Sequence, residues 1–205
     1  MPDYTLYSYF RSSCSARLRI VLNLKDISYD TAPVNLLDGE QLSESHRALN
    51  PSATSVAALE FLEEVHPETP ILPPAGDAKA RAVVRTLVNI VSADMQPVTN
   101  LRIMRRVRAL GGNAEEWNKE LMTDGLRAYE AVAKDHAGKY SFGDAITMAD
   151  ACLLPAAWNA ERFGVDLRAF PVVSRVVDSL NQHPAVVKAH YFNQPDTPEN
   201  LRTKT

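Results

Sequence analysis

Four prolines, Pro67, Pro70, Pro73 and Pro74, fall within eight residues. Such a stretch cannot be helix interior, because each proline lacks the N–H a helix needs and its ring clashes with the preceding turn. The cluster divides the chain into two segments, residues 1–74 and 75–205, which read very differently. The division agrees with length, since 205 residues at about 150 per domain allow between one and two domains. That is ample to bury a core without disulfide or metal staples.

The first segment alternates in character. Tyr4 to Phe10 is aromatic-rich and roughly alternating, which predicts a strand. Ser12-Ser13-Cys14-Ser15 supplies N-cap candidates, and Arg17 to Lys25 follows with good helix formers and apolar residues at 18, 21 and 22. Asp26 ends that helix, and Ile27 to Leu36 returns to strand composition, with Pro33 suited to a strand end or edge. Glu40 to Leu49 predicts a short polar helix closed by Asn50-Pro51, and Ser55 is a natural N-cap for a helix over Val56–Glu64.

Beyond the prolines every pattern is helical. Asp77 to about Leu110 reads as one long helix kinked at Pro97, stopped by Gly111-Gly112. Asn113 caps a helix running to about His136, and Thr147-x-x-Asp150 resembles a capping box before an apolar run. Pro171 and Pro184 each open a further helix. The tail from Gln194, polar with two prolines, is expected to lie on the surface or fray. The predicted fold is therefore a small α/β domain over 1–74 followed by an all-α domain over 75–205.

Composition narrows the function. Lys+Arg 22 against Asp+Glu 25 gives a net charge of -3, which argues against a general nucleic-acid binder. No apolar run is long enough for a signal peptide or a membrane span. Cys14 and Cys152 form no CxxC pair, and the five histidines show no metal-ligand spacing. Zinc, dithiol and disulfide chemistry are not indicated, so no metal is expected, and the expected compartment is the cytoplasm. Arg102, Arg105 and Arg106 share a helical face that reads as solvated.

One junction carries chemistry. Ser12, Ser13 and Cys14 sit where a strand passes into a helix, and backbone N–H groups with the positive helix end favour an anion there. If that anion is a thiolate, the site keeps it nucleophilic at neutral pH. The plainer reading is a serine that merely caps the helix.

The run Ser12-Ser13-Cys14-Ser15-Ala16-Arg17-Leu18-Arg19-Ile20 resembles the Ser-Ser-Cys signature of zeta-class glutathione transferases, the maleylacetoacetate isomerases. Tyr7-Ser8-Tyr9-Phe10-Arg11, Ala48-Leu49-Asn50-Pro51, Phe61-Leu62-Glu63-Glu64, Thr147-Met148-Ala149-Asp150, Asn159-Ala160-Glu161-Arg162-Phe163 and Gln194-Pro195-Asp196-Thr197-Pro198 resemble family segments in family order. The resemblance implies the glutathione-transferase fold, a thioredoxin-like domain followed by a helical one, in a homodimer. It implies glutathione as cofactor and isomerisation of maleylacetoacetate, by thiolate addition, rotation about the resulting single bond, and elimination. Maleylpyruvate isomerisation is the close alternative, and a non-catalytic glutathione-transferase-like interaction module the distant one. Residue by residue, it gives Ser12 the hydrogen bond to the glutathione sulfur, assisted by Ser13 and Cys14. Ser55 is matched to the γ-glutamyl carboxylate and Gln41 to the glycyl end. Arg162 is matched to a substrate carboxylate, and Gln96 and Asn100 to the pocket wall. Without the resemblance, Arg162 reads as a surface arginine and Gln96 and Asn100 as partners of the Pro97 kink.

The resemblance breaks once. After Asn50-Pro51 the family has a Val-Pro pair, two strands with a turn, and a Gln-Ser pair, whereas here Pro51-Ser52-Ala53-Thr54 runs directly into Ser55-Val56. The missing strand–turn–strand amounts to roughly 15–20 residues. It would carry a sheet edge and the proline that meets the glutathione backbone. Because the match resumes in register at Ser55, the expectation is a stretch left out between Thr54 and Ser55 and closed up by continuous numbering, not a true deletion.

Overall fold

A computed structural model describes Pro2, residues 4–49 and residues 55–202. The expected break at Thr54–Ser55 lies outside the described residues. Residues up to Thr69, together with those from Gln182 on, pack as one compact unit, and Pro70–Asn181 as another. The sequence places a boundary at 74/75 and gives everything after it to the helical domain. In the structure the chain from Gln182 packs with the first unit, where the side chains of Arg19 and Asn23 hold carbonyls of the last helix.

In the first unit, β1 (Tyr4–Ser8) pairs in parallel with β2 (Tyr29–Pro33), in register from Tyr4 opposite Tyr29 to Ser8 opposite Pro33. A parallel pair needs a crossover, and α1 (Ser13–Leu24) provides it, burying Ala16, Ile20, Val21 and Leu22. Asp26 adopts a left-handed conformation, φ 55°, and Ile27 N–H returns to the Leu22 carbonyl at 2.9 Å, which ends α1 where the sequence predicts. Glu40–Leu42 forms a 3-10 turn, followed by α2 (Glu44–Leu49) and α3 (Val56–Val65). Leu59 and Leu62 of α3 are buried, and α3 packs on α1. Lys25 ties down the end of α3, its ammonium donating to Glu63 Oε2 at 3.3 Å and to the His66 and Thr69 carbonyls at 2.8 and 2.7 Å. The last helix of the chain, α10 (Pro184–Ala189), lies against α1. Arg19 Nε donates to the Ala189 carbonyl at 3.0 Å and Asn23 Nδ2 to the Ala185 carbonyl at 3.1 Å. Among the described residues the sheet has two strands.

The second unit is helical. The stretch expected as one kinked helix is α4 (Ala78–Asn89), a π turn (Ile90–Met95), α5 (Gln96–Thr99) and α6 (Leu101–Ala109). The widened turn ends two residues before Pro97, whose missing N–H falls in a backbone that stays helical through Met95 and Gln96. That turn packs Met95 onto Gly125 of α7 (Ala114–Ala133), and Asn100, whose ψ of 168° leaves the helix, starts α6. The core is α8 (Met148–Arg162), buried along almost its whole length as a helix apolar on all sides must be. Its capping box forms as the sequence predicts, and α9 (Pro171–Asn181) closes the unit. None of the described helices is long and apolar enough to cross a membrane.

Candidate active site

The junction between β1 and α1 is built by short-range bonds. Ser12 N–H donates to the Tyr9 carbonyl at 2.9 Å, closing a tight turn after β1. Ser12 is extended (φ -69°, ψ 121°), and its Oγ accepts the Ser15 N–H at 3.2 Å, so it is the N-cap. Accepting that bond uses a lone pair and leaves the hydroxyl proton to be donated outward. No acidic residue occupies the first turn of α1, so the helix end keeps its positive character. Ser13 and Cys14 follow in the same turn, both half-buried, and neither Cys14 nor Cys152 is in a disulfide. The plain capping role and an anion-binding role are thus compatible in one geometry.

Ser55 stands at the start of α3, but its side chain makes no capping bond, contrary to the expected N-cap. Its backbone lies in the helical region (φ -112°, ψ -21°) and not in the extended one that aims a cap side chain at the first turn, and its Oγ accepts from Arg17 Nη1 at 3.5 Å. Arg17 is 1% exposed, and its Nε and Nη2 have no partner among the described residues. Gln41 Oε1 is likewise buried without a partner among them. Buried polar atoms in this state are costly. The group that fits glutathione is at the start of α1, where the Ser12 hydroxyl and a helix end with no acidic residue in its first turn suit a thiolate. Arg17 was not singled out from the sequence, although an Arg-x-Arg pair in an apolar helix was its signal.

In the second unit Asn100 caps α6, its Oδ1 accepting Ile103 N–H at 3.2 Å and its Nδ2 donating to the Pro97 carbonyl at 2.9 Å. Gln96 opens α5, half-buried. Gln96 and Asn100 thus flank Pro97 on one short segment. Arg162 stands apart from them in chain and element, exposed in the last turn of α8. Its Nη2 donates to Asn159 Oδ1 at 2.7 Å and its guanidinium lies 4.9 Å from the Phe163 ring centroid. A planar fork braced on a ring and an amide is preorganised for a carboxylate. Arg102, Arg105 and Arg106 are exposed, as a solvated face should be.

Comparisons with known proteins point to one family. The family model for the glutathione S-transferase C-terminal domain matches residues 100–184. The maleylacetoacetate isomerase of Aspergillus fumigatus is 54% identical, covering 100% of this chain and 97% of that one. That alignment runs over 224 positions, 19 more than the 205 residues of the chain. Among solved structures, the maleylacetoacetate isomerase from Anaeromyxobacter dehalogenans with glutathione bound in its active site is 38% identical, with a TM-score of 0.87 over 95% of this chain and 97% of that one. The zeta-class maleylpyruvate isomerase holo structure is 35% identical, with a TM-score of 0.88 over 95% and 99%.

A strand–helix–strand unit of thioredoxin type followed by a helical bundle, with a serine at the first helix start, is the architecture of a glutathione transferase. Within that fold, the chain belongs to the zeta-class, maleylacetoacetate isomerase family.

Proposed function

We propose that this protein catalyses the glutathione-dependent cis–trans isomerisation of maleylacetoacetate to fumarylacetoacetate, a step of tyrosine and phenylalanine catabolism, with secondary transfer of glutathione to other electrophiles. The observation that carries the reading is Ser12, capping α1 with its hydroxyl proton still available, in a chain related over its whole length to such isomerases. Glutathione supplies a thiolate that adds to the double bond, lets it rotate as a single bond, and leaves. The chain's part is electrostatic. Ser12 donates to the sulfur, with Ser13 and Cys14 assisting at the positive end of α1. Ser55 receives the γ-glutamyl carboxylate, and Gln41 meets the glycyl end. Arg162 holds a carboxylate of the diacid, while Gln96 and Asn100 line its pocket. Binding developing charge more tightly than the resting substrate is what accelerates the step.

The reading includes two domains, a thioredoxin-like one over 1–74 and a substrate-binding one over 75–205, in a cytoplasmic homodimer. The exposed Phe61 and Val65, one turn apart on α3, support an apolar contact between copies. The 19 positions without a counterpart here equal the expected strand–turn–strand in size, and we place them between Thr54 and Ser55. Maleylpyruvate is the second substrate to weigh, because the maleylpyruvate isomerase matches this fold as well as the maleylacetoacetate isomerase does. The test is isomerisation of maleylacetone and of maleylpyruvate, each with and without glutathione. The larger kcat/KM is expected for maleylacetone. A larger value for maleylpyruvate would replace the substrate assignment while leaving the mechanism.

A further inference from the structure

The loop that presents Ser12 is held from outside by two charged side chains that the reaction itself does not use. Both grip Phe10, two residues before Ser12 and 4% exposed. Its N–H donates to Asp196 Oδ2 at 2.7 Å, and its carbonyl accepts from Arg19 Nη2 at 3.0 Å. Arg19 is itself fixed: Nη1 donates to Ser8 Oγ at 2.8 Å and Nε to the Ala189 carbonyl at 3.0 Å. Between Phe10 and Ser12 stands Arg11, its guanidinium 5.0 Å over the Phe10 ring.

Asp196 comes from the opposite end of the chain, in a tail of a kind that ordinarily frays. Here the tail is pinned. Gln194, 6% exposed, donates through Nε2 to the Lys188 and His190 carbonyls at 3.0 and 2.8 Å. Thr197 Oγ1 donates to the Tyr191 carbonyl at 2.6 Å, and Arg202 donates to the Thr197 and Pro195 carbonyls at 2.9 and 2.8 Å. Asp196 Oδ1 is buried with no hydrogen-bond partner among the described residues. The carboxylate, its charge set against that of Arg19, puts its other oxygen on the N–H of the residue whose carbonyl Arg19 holds.

We propose that Asp196 is a positioning residue: with Arg19 it clamps both backbone groups of Phe10, so that the C-terminal tail sets the loop that aims Ser12 at the glutathione sulfur. The proposal rests on the role given to Ser12 above. Loosening the clamp lets the Tyr9–Ser12 turn shift, and sub-ångström misplacement of a hydrogen-bond donor weakens its hold on a thiolate.

The test uses the whole chain with glutathione. The thiol pKa of bound glutathione is read from the ultraviolet thiolate band as pH is varied, alongside glutathione affinity by calorimetry, turnover of maleylacetone, and the melting temperature. Ser12→Ala, Asp196→Ala and Asp196→Asn are compared with the wild type. Asp196→Ala is expected to raise the bound thiol pKa by about half a unit and to lower kcat about tenfold, with KM for maleylacetone little changed. Asp196→Asn keeps an acceptor for Phe10 N–H and should recover most of both; it also carries the test if Asp196→Ala does not fold. The sign separates positioning from charge, because removing a nearby negative charge would by itself lower the thiol pKa. Normal thiol pKa and kcat in Asp196→Ala, with only the melting temperature lowered, would reduce Asp196 to a tail anchor. A fall in the thiol pKa in Asp196→Ala would also overturn positioning. If Ser12→Ala leaves the thiol pKa unchanged, the Ser12 reading fails first, and the clamp has nothing to position.

Discussion

Asp150→Ala should destabilise the helical unit by about 3 kcal/mol. The Asp150 carboxylate is fully buried, and it accepts Ser141 N–H at 2.8 Å, Thr147 N–H at 2.7 Å and Thr147 Oγ–H at 3.0 Å. Alanine strands the two backbone donors, each costing about 1–3 kcal/mol when buried unpaired. The Thr147 hydroxyl also loses its acceptor, while its oxygen keeps the Ala149 N–H at 3.3 Å. Against a loss of about 2–6 kcal/mol stands the relief of no longer burying a carboxylate, whose pKa burial raises. That relief brings the net to about 3 kcal/mol, in the lower half of the range. Both tryptophans, Trp117 and Trp158, lie within Pro70–Asn181, so their fluorescence during urea unfolding reports this unit. A midpoint displaced by about 3 kcal/mol at unchanged slope is expected. Asp150→Asn should fall between wild type and alanine, because its NH2 group must face one of the two N–H donors. A loss below about 1 kcal/mol for Asp150→Ala would show that water or local rearrangement satisfies those donors, and would refute the reasoning.

Gly125→Ala should cost about 1–3 kcal/mol by overpacking, because a Cβ there would fall 2.8–2.9 Å from Met95 Sδ, Cβ and Cγ; combining it with Met95→Ala should recover part of the loss in the same urea assay. Burial, reinforced by the Arg19 charge, lowers the His190 pKa below its usual 6.5, so the unfolded chain takes up the proton first and stability is lost as pH falls below that value. His190 Nδ1 also accepts Phe192 N–H at 3.3 Å, a bond that protonation removes, so melting temperatures measured downward from neutral pH should fall less steeply in His190→Asn. Arg162→Lys should raise KM for the diacid about tenfold with kcat little changed, since an ammonium cannot grip a carboxylate with two parallel bonds. Trypsin cuts after Arg47 and Lys79 and nowhere between, so one peptide reports the Thr54–Ser55 join: a mass exceeding that of residues 48–79 by about 15–20 residues is expected, and the exact sequence mass would make the join genuine.

Local chemistry is what the sequence carries most legibly. Ser12, Asn113 and Thr147 cap helices as read, because a cap depends on residues within one turn of it. Asp26 ends α1 for the same reason. The π turn that ends at Met95 was not legible, since apolar periodicity predicts a helix without predicting the width of each turn. Nor was the return of residues 182–202 to the first unit, which depends on Arg19 and Asn23 meeting carbonyls of α10. The candidate site divides in the same way. Ser12, Ser13 and Cys14 announce themselves by position at a strand–helix junction. Arg17 and Asp196 do not, because a charged residue reads as exposed until the fold buries it.

The central claim is that the chain works by aiming donors at a thiol that glutathione brings. Initial rates of maleylacetone isomerisation, with glutathione present and absent, on wild type and Ser12→Ala, test it most directly. The account predicts no turnover without glutathione and a fall of about a hundredfold in kcat for Ser12→Ala, the usual loss on removing one oxyanion donor. Turnover persisting in wild type without glutathione would contradict it.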